Sequence, residues 1–166
     1  MPYLDINIKK HVAKAMARAL SKYNITAKQV LGVLNKAYSE QVRYHRDIEA
    51  KAQEIIAEAR AKGQKIIVLA GRPYHIDPEI NHGIHKLIAS LGFAVITEDS
   101  VAMKVDTPPL DVLNQWTYHS RLYRAAEYVC ENDDMQLVQL VSFGCGIDAV
   151  TTDEVRAILE EKGKLY

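Results

Sequence analysis

Residues 66–75 read IIVLAGRPYH. Ile66, Ile67, Val68, Leu69 and Ala70 form a continuous aliphatic run, the pattern of a strand buried on both faces. Gly71, Arg72, Pro73, Tyr74 and His75 then supply a turn and three side chains able to bind a ligand. A buried strand that runs directly into such a loop is how an open parallel α/β sheet begins, with its ligands beyond the carboxyl ends of the strands.

Strands and helices alternate downstream of this stretch. Asp77 predicts a helix cap, with Pro78 at the first helical position and Glu79 in the first turn. Ile80, Ile84, Leu87 and Ile88 give the apolar face, and Leu91-Gly92 ends it. Residues 93–97 (FAVIT) read as a second strand. Residues 98–111 are a loop with Pro108-Pro109 inside it. A helix follows through Leu113, Trp116, Leu122, Ala125, Ala126 and Val129. Residues 137–141 (LVQLV) read as a third strand, and Thr152-Asp153-Glu154 opens a last helix through Val155, Ile158 and Leu159. This alternation predicts right-handed crossovers and strand order 2-1-3, with the topological switch point between strands 1 and 3.

Upstream the period is helical. From Asp5 as cap, Ile8, Val12, Ala15, Met16, Ala19, Leu20 and Tyr23 share one face. Thr26-Ala27-Lys28-Gln29 fits a capping box and opens a second helix. Its pattern runs from Val30 to Ala59 and stops at Lys62-Gly63. Unbroken, it would be roughly 55 Å long, so it is expected to break near Ser39-Glu40 or to pack on protein outside this chain. The division expected is a helical segment over residues 1–63 and a three-layer, flavodoxin-like α/β domain over residues 64–166. The abrupt ends suit a piece of a much longer protein.

Composition narrows the function classes. The chain has 166 residues, with 48% hydrophobic and 25% charged, ordinary values for a globular domain. Twenty-one basic residues balance 21 acidic ones. That balance argues against a general nucleic-acid or anionic-membrane binder, both of which need a basic excess. No apolar run approaches membrane-spanning length, and the start lacks a signal-peptide layout. Two cysteines, Cys130 and Cys145, cannot build a disulfide framework. A cytoplasmic setting with reduced thiols is the expectation.

Three loops meet at the carboxyl ends of the strands: residues 71–75, residues 97–100, and Ser142-Phe143-Gly144-Cys145-Gly146. In order 2-1-3 the first and third flank one crevice, which places Arg72, Tyr74, His75 and Cys145 within reach of a common ligand. Cys145 stands between two glycines that remove bulk around its sulfur. It can be a small residue in a strand-to-helix turn, a thiolate ligand of zinc or an iron–sulfur cluster, or a nucleophile with His75 as base. Arg72 can hold a phosphate or carboxylate, or simply pair with Glu98 or Asp99. His82 and His85, at i,i+3, would share a helix face and with His75, Asp77 and Glu79 could hold a metal; a solvated helix start reads the same way. Cys130 suits a helix end or the core, and the Trp116, Tyr118, Tyr123 and Tyr128 set suits core packing. There is no P-loop, GxGxxG or GxSxG.

Two stretches, GRPYHIDPEINHGIHKLIASLGFAVITEDSV and LVQLVSFGCGIDAVTTDEVRAILEEKGKLY, resemble the CoA-substrate-specific enzyme activase-related proteins, described as activators of 2-hydroxyglutaryl-CoA dehydratase. The resemblance is clear from about residue 65 to 166 and less distinctive in the helices before it. It lies with the region similar to the dehydratase component, not with the ATPase modules of full-length members. It implies a flavodoxin-like domain in which Cys145 is an iron–sulfur ligand, Arg72, Tyr74 and His75 line the pocket, and Gly144 and Gly146 give the cluster room. It also implies ATP-coupled, low-potential electron transfer. The partners implied are other domains of a parent protein, including an ATPase module, and an acyl-CoA dehydratase. A non-catalytic interaction or scaffold module is the competing expectation.

Overall fold

The structure, a computed structural model, describes residues 8–142 and 144–166; the expected cap Asp5 and the Phe143 position lie outside them. The chain divides into two compact units, Met1–Asp47 and Ile48–Tyr166.

In the second unit, β1 (Ile66–Ala70) is the centre of a three-stranded parallel sheet, and all five of its residues are buried. β2 (Ala94–Thr97) lies on one side and β3 (Met135–Gln139) on the other, so the order is β2-β1-β3 as expected. Val68 faces Ile96 in one ladder and Leu137 in the other. Leu140 N–H donates to Ala70 O at 2.8 Å, which ties the ends of β3 and β1 together.

The two faces of the sheet are covered unequally. Ile66, Val68, Ala70, Ile96, Met135 and Leu137 pack under α4 (Thr117–Cys130), α5 (Gly146–Glu161) and the last turns of α2 (Ala27–Ala61), whose Ala52, Ile56 and Ala59 are buried there. The opposite face offers Ile67 and Leu69 to α3 (Ile84–Ser90), a helix of seven residues that buries only Ile88. This gives three layers and a mixed α/β, flavodoxin-like arrangement.

The first unit holds α1 (Lys9–Ala19), a short 3₁₀ turn at Ser21–Tyr23, and the first part of α2. Asn24 ends the turn in the left-handed region, at φ 56°. Thr26 and Gln29 form the expected capping box: Thr26 N–H donates to Gln29 Oε1 at 2.9 Å, and Gln29 N–H to Thr26 Oγ1 at 3.3 Å. α1 turns Val12 and Ala13 inward, and Val30 is the buried residue at the start of α2. Residues 1–47 carry nine Lys and Arg against three Asp and Glu, whereas residues 48–166 carry twelve against eighteen. The neutral chain is therefore a basic helical unit joined to an acidic α/β unit.

Five elements differ from expectation. α2 does not break near Ser39-Glu40; it is continuous over 35 residues. Asp77 Oδ1 does accept from Glu79 N–H (2.9 Å) and Ile80 N–H (3.3 Å). The chain nevertheless stays in turns until Ile84, because His82 (φ 51°) and Gly83 (φ 77°) both take the left-handed conformation. His82 is therefore off the helix and shares no face with His85. Strand β3 begins two residues earlier than the aliphatic run suggests. Leu113 and Trp116 precede α4 rather than starting it, and α5 begins at Gly146, six residues ahead of Thr152. No helix among the described residues is long and apolar enough to cross a membrane.

Candidate functional site

The loop after β1 folds back on itself through its own side chains. Arg72 N–H donates to His75 Nδ1 at 3.0 Å, and His75 N–H donates to Arg72 O at 2.8 Å. Gly71 must be glycine for this closure: a Cβ there would lie 2.5 Å from His75 Nδ1 and 3.0 Å from Leu140 O. Since His75 Nδ1 accepts, the ring proton sits on Nε2. Burial lowers the His75 pKa from the ordinary imidazole value, with Asp148 opposing and Arg72 reinforcing, so the ring is neutral. The Tyr74 ring meets His75 edge-on at 4.6 Å, and its hydroxyl is hydrogen-bonded to Ser142 Oγ. Asn81, itself buried, donates to His75 O at 3.1 Å and accepts from Gly83 N–H, which anchors the far end of the loop.

The loop after β3 delivers Cys145 to the N-cap position of α5, where its carbonyl accepts from Asp148 N–H at 3.0 Å. Gly144 precedes it at φ 77°, a left-handed geometry that costs other residues about 1 kcal/mol or more. Nothing lies within 4 Å of where a Cβ would stand on Gly144 or Gly146, so both flanks of the half-buried sulfur are open.

Arg72 joins the two loops. Its Nη2 lies 2.9 Å from Cys145 Sγ and 2.6 Å from Asp148 Oδ1, and its Nε is 3.0 Å from the same oxygen. The other carboxylate oxygen, Asp148 Oδ2, accepts from Ser142 N–H at 2.7 Å. Burial alone would raise the Asp148 pKa, but the Arg72 and Ser142 hydrogen bonds prevail and hold it below the usual carboxylate value. Asp148 is thus a buried charge that fixes a guanidinium against a sulfur.

The expected residues Arg72, Tyr74, His75 and Cys145 do meet, at the carboxyl ends of β1 and β3. Arg72 pairs with Asp148 rather than with Glu98 or Asp99. Glu98 is buried and pairs instead with Arg121 of α4. There burial outweighs the attraction of the guanidinium and raises the Glu98 pKa to about 7. His75 Nδ1 accepts from Arg72 N–H, and among the described residues no hydrogen bond joins His75 to Cys145.

Sequence reasoning missed the parts played by Asp148 and Ser142. Asp148 left a readable trace: a lone carboxylate amid Ile147, Ala149 and Val150, three residues past Cys145.

Cys145 suits one corner of an iron–sulfur cluster and cannot by itself complete one. Cys130, the last residue of α4, packs against the core with its sulfur 3.5 Å from Ile158 O. Burial raises its pKa to about 11, so without a metal it is a protonated thiol held in the core. Among the described residues no group of three or more His, Cys, Asp or Glu is placed to hold a metal ion, the segment from His75 to His85 included.

Residues 1–101 match the model of a family described as CoA enzyme activase uncharacterised domain (DUF2229). The match takes in the helical unit, β1, the Arg72 loop and β2, and it ends ahead of β3 and Cys145. No curated protein and no solved structure matches the chain.

Proposed function

The chain belongs to the CoA enzyme activase family, and from that membership we propose that it is a domain of a 2-hydroxyacyl-CoA dehydratase activator-related protein in which Cys145 supplies one thiolate to an iron–sulfur cluster. When bound, such a cluster would pass electrons at low potential in a reaction driven by ATP. The remaining ligands and the ATPase module would come from other domains of a parent protein or from a partner, with an acyl-CoA dehydratase as the enzyme served and the cytoplasm as the setting.

One observation carries this reading: the Cys145 sulfur stands half-exposed at the switch point, between glycines that leave its flanks open. The other residues have matching tasks. Arg72 holds the sulfur by a hydrogen bond and brings positive charge beside a site that would take a negatively charged group. Asp148 holds Arg72. Tyr74 and the neutral His75 wall the crevice and keep the loop closed.

The test is anaerobic reconstitution with iron and sulfide, with Cys145→Ser beside the unaltered chain and each assembled with its partner domains. Bound iron and the visible thiolate-to-iron absorption should fall in the variant. Equal cluster content in both would remove Cys145 as a ligand.

A second reading, a non-catalytic interaction module, is favoured by α2. Val33, Val42 and Tyr44 are 66%, 59% and 53% exposed along that helix. Val42→Glu with Tyr44→Glu should then abolish association with the partner domains and leave the sheet unit folded. Undiminished association would sink that reading.

A further inference from the structure

Residues 8–39 hold seven Lys and Arg and no Asp or Glu. Lys9 is half-buried, with its Nζ 3.3 Å from Asn35 Oδ1 and over the Tyr38 ring, and the other cations are exposed. Lys10, Lys14 and Arg18 stand at i, i+4 and i+8 on α1, on the side away from the buried Val12 and Ala13. About one helical turn separates each from the next, so the charges repeat at about 6 Å along roughly 12 Å of helix.

Helix physics opposes this arrangement. Like charges four residues apart destabilise a helix. The first turn of α1 carries Lys9 and Lys10 and no acidic residue, although a helix N-terminus favours negative charge. An ordinary solvated face in this chain looks different. On α2, Arg43 pairs with Glu40 at 2.5 Å, Lys51 with Glu54 at 2.7 Å and Lys62 with Glu58 at 2.5 Å, each three or four residues apart. No acidic side chain lies on α1 to relieve its cations in this way. Local rules broken without local compensation mark functional surfaces.

We propose that the outer face of α1 docks an acidic helix of a partner protein, one with Asp or Glu four residues apart along one side. The complementarity is of charge and of period. Carboxylates at i, i+4 and i+8 repeat at the same spacing of about 6 Å, so two helices laid side by side match three charges to three. Val12 and Ala13 are spent inside the unit, which leaves the outer face without the apolar side that an interfacial membrane helix needs. A nucleic acid fits less well, because residues 48–166 carry eighteen acidic residues against twelve basic and repel any polyanion long enough to reach them. Exposed ion pairs are individually weak and screened by salt, so the association is reversible and strongest at low ionic strength. The proposal needs neither a cluster, nor Cys145, nor the exposed side chains of α2, so it stands or falls apart from both readings above.

The experiment follows, by fluorescence anisotropy at low salt, a labelled alanine-based helical peptide with glutamates four residues apart. A peptide of the same composition with its glutamates scattered round the helix is titrated beside it. A DNA duplex of random sequence and phosphatidylserine vesicles serve as competitors. The patterned peptide should bind saturably, at least tenfold more tightly than the scattered one, and be released by added salt. Neither the duplex nor the vesicles should displace it. Lys14→Glu with Arg18→Glu should weaken binding at least tenfold in a chain of unchanged far-UV ellipticity. Lys28→Glu with Lys36→Glu, the same change of charge on α2, should weaken it less. Absence of saturable binding would overturn the proposal, as would equal binding of the scattered peptide or displacement by the duplex or the vesicles. So would full affinity in the folded Lys14→Glu, Arg18→Glu chain, or equal losses from the two pairs of substitutions.

Discussion

A methyl group at position 71 would stand 2.5 Å from the nitrogen that closes the Arg72 loop. Gly71→Ala should therefore cost about 1–3 kcal/mol, as overpacking does, and open the His75 contact. Gly146→Ala, with nothing within 4 Å, should be neutral or slightly stabilising because it lies inside α5. Urea midpoints for the two variants should separate clearly, and equal midpoints would show that the loop yields freely. Glu98 sets a pH dependence. Its folded pKa of about 7 lies above the ordinary 4.5, so the folded state holds the extra proton between those values. Stability from this group is full below pH 4.5 and is lost as pH rises to about 7, with a slope of at most about 1.4 kcal/mol per pH unit. His75 and His119, lowered from 6.5, act in the opposite sense and lose stability as pH falls below 6.5. The measurement is thus the difference between the unaltered chain and Glu98→Gln across pH 4.5–7. It should shift in favour of the variant as pH rises, and a flat difference would place Glu98 elsewhere in its titration. Residue types in the sequence were enough to nominate Arg72, Tyr74, His75 and Cys145. They did not nominate Asp148, because with the last helix expected from Thr152 it read as one residue of the loop after Cys145, and its partner could not be seen. Its partner Arg72 is 76 residues away in sequence.

Elements were legible where a local rule governs them. The Thr26–Gln29 box satisfies backbone donors that no other group reaches, and its two contacts are as expected. Thr26→Ala should cost about 1 kcal/mol and speed hydrogen exchange at the first amides of α2; unchanged exchange would mean that packing alone starts the helix. β1 was legible because five consecutive aliphatic residues buried on both faces admit few other readings. The start of α5 was not. Gly144, Cys145 and Gly146 look like a loop, since glycine weakens a helix by about 1 kcal/mol. Gly146 is nonetheless helical, because the Cys145 carbonyl caps the turn and Asp148 is fixed by Arg72 and Ser142. The helix expected at Asp77 was delayed for the converse reason. Its capping contacts form, but His82 and Gly83 turn left-handed while Asn81 holds the loop to His75.

At the scale of the molecule, stability is expected to be uneven. Among the described residues the buried core belongs almost entirely to residues 48–166, with Val12, Ala13 and Val30 the buried ones in the basic unit before them. Denaturation followed by far-UV ellipticity, which weighs α1 and α2, should begin at lower denaturant than the Trp116 signal. Coincident curves would show the chain unfolding as one cooperative body. Strand order was readable because βαβ crossovers have one hand and neighbouring strands tend to pair, so few topologies survive. The crevice residues followed from that order. The coupling of Arg72 to both Cys145 and Asp148, the protonated Cys130 thiol and the buried Glu98 did not follow. Local sequence sets periodicity, caps and turns because those depend on neighbours within a few residues. Which charge meets which partner, and which group loses its water, depends on segments brought together from far along the chain, and only the folded sheet brings them together.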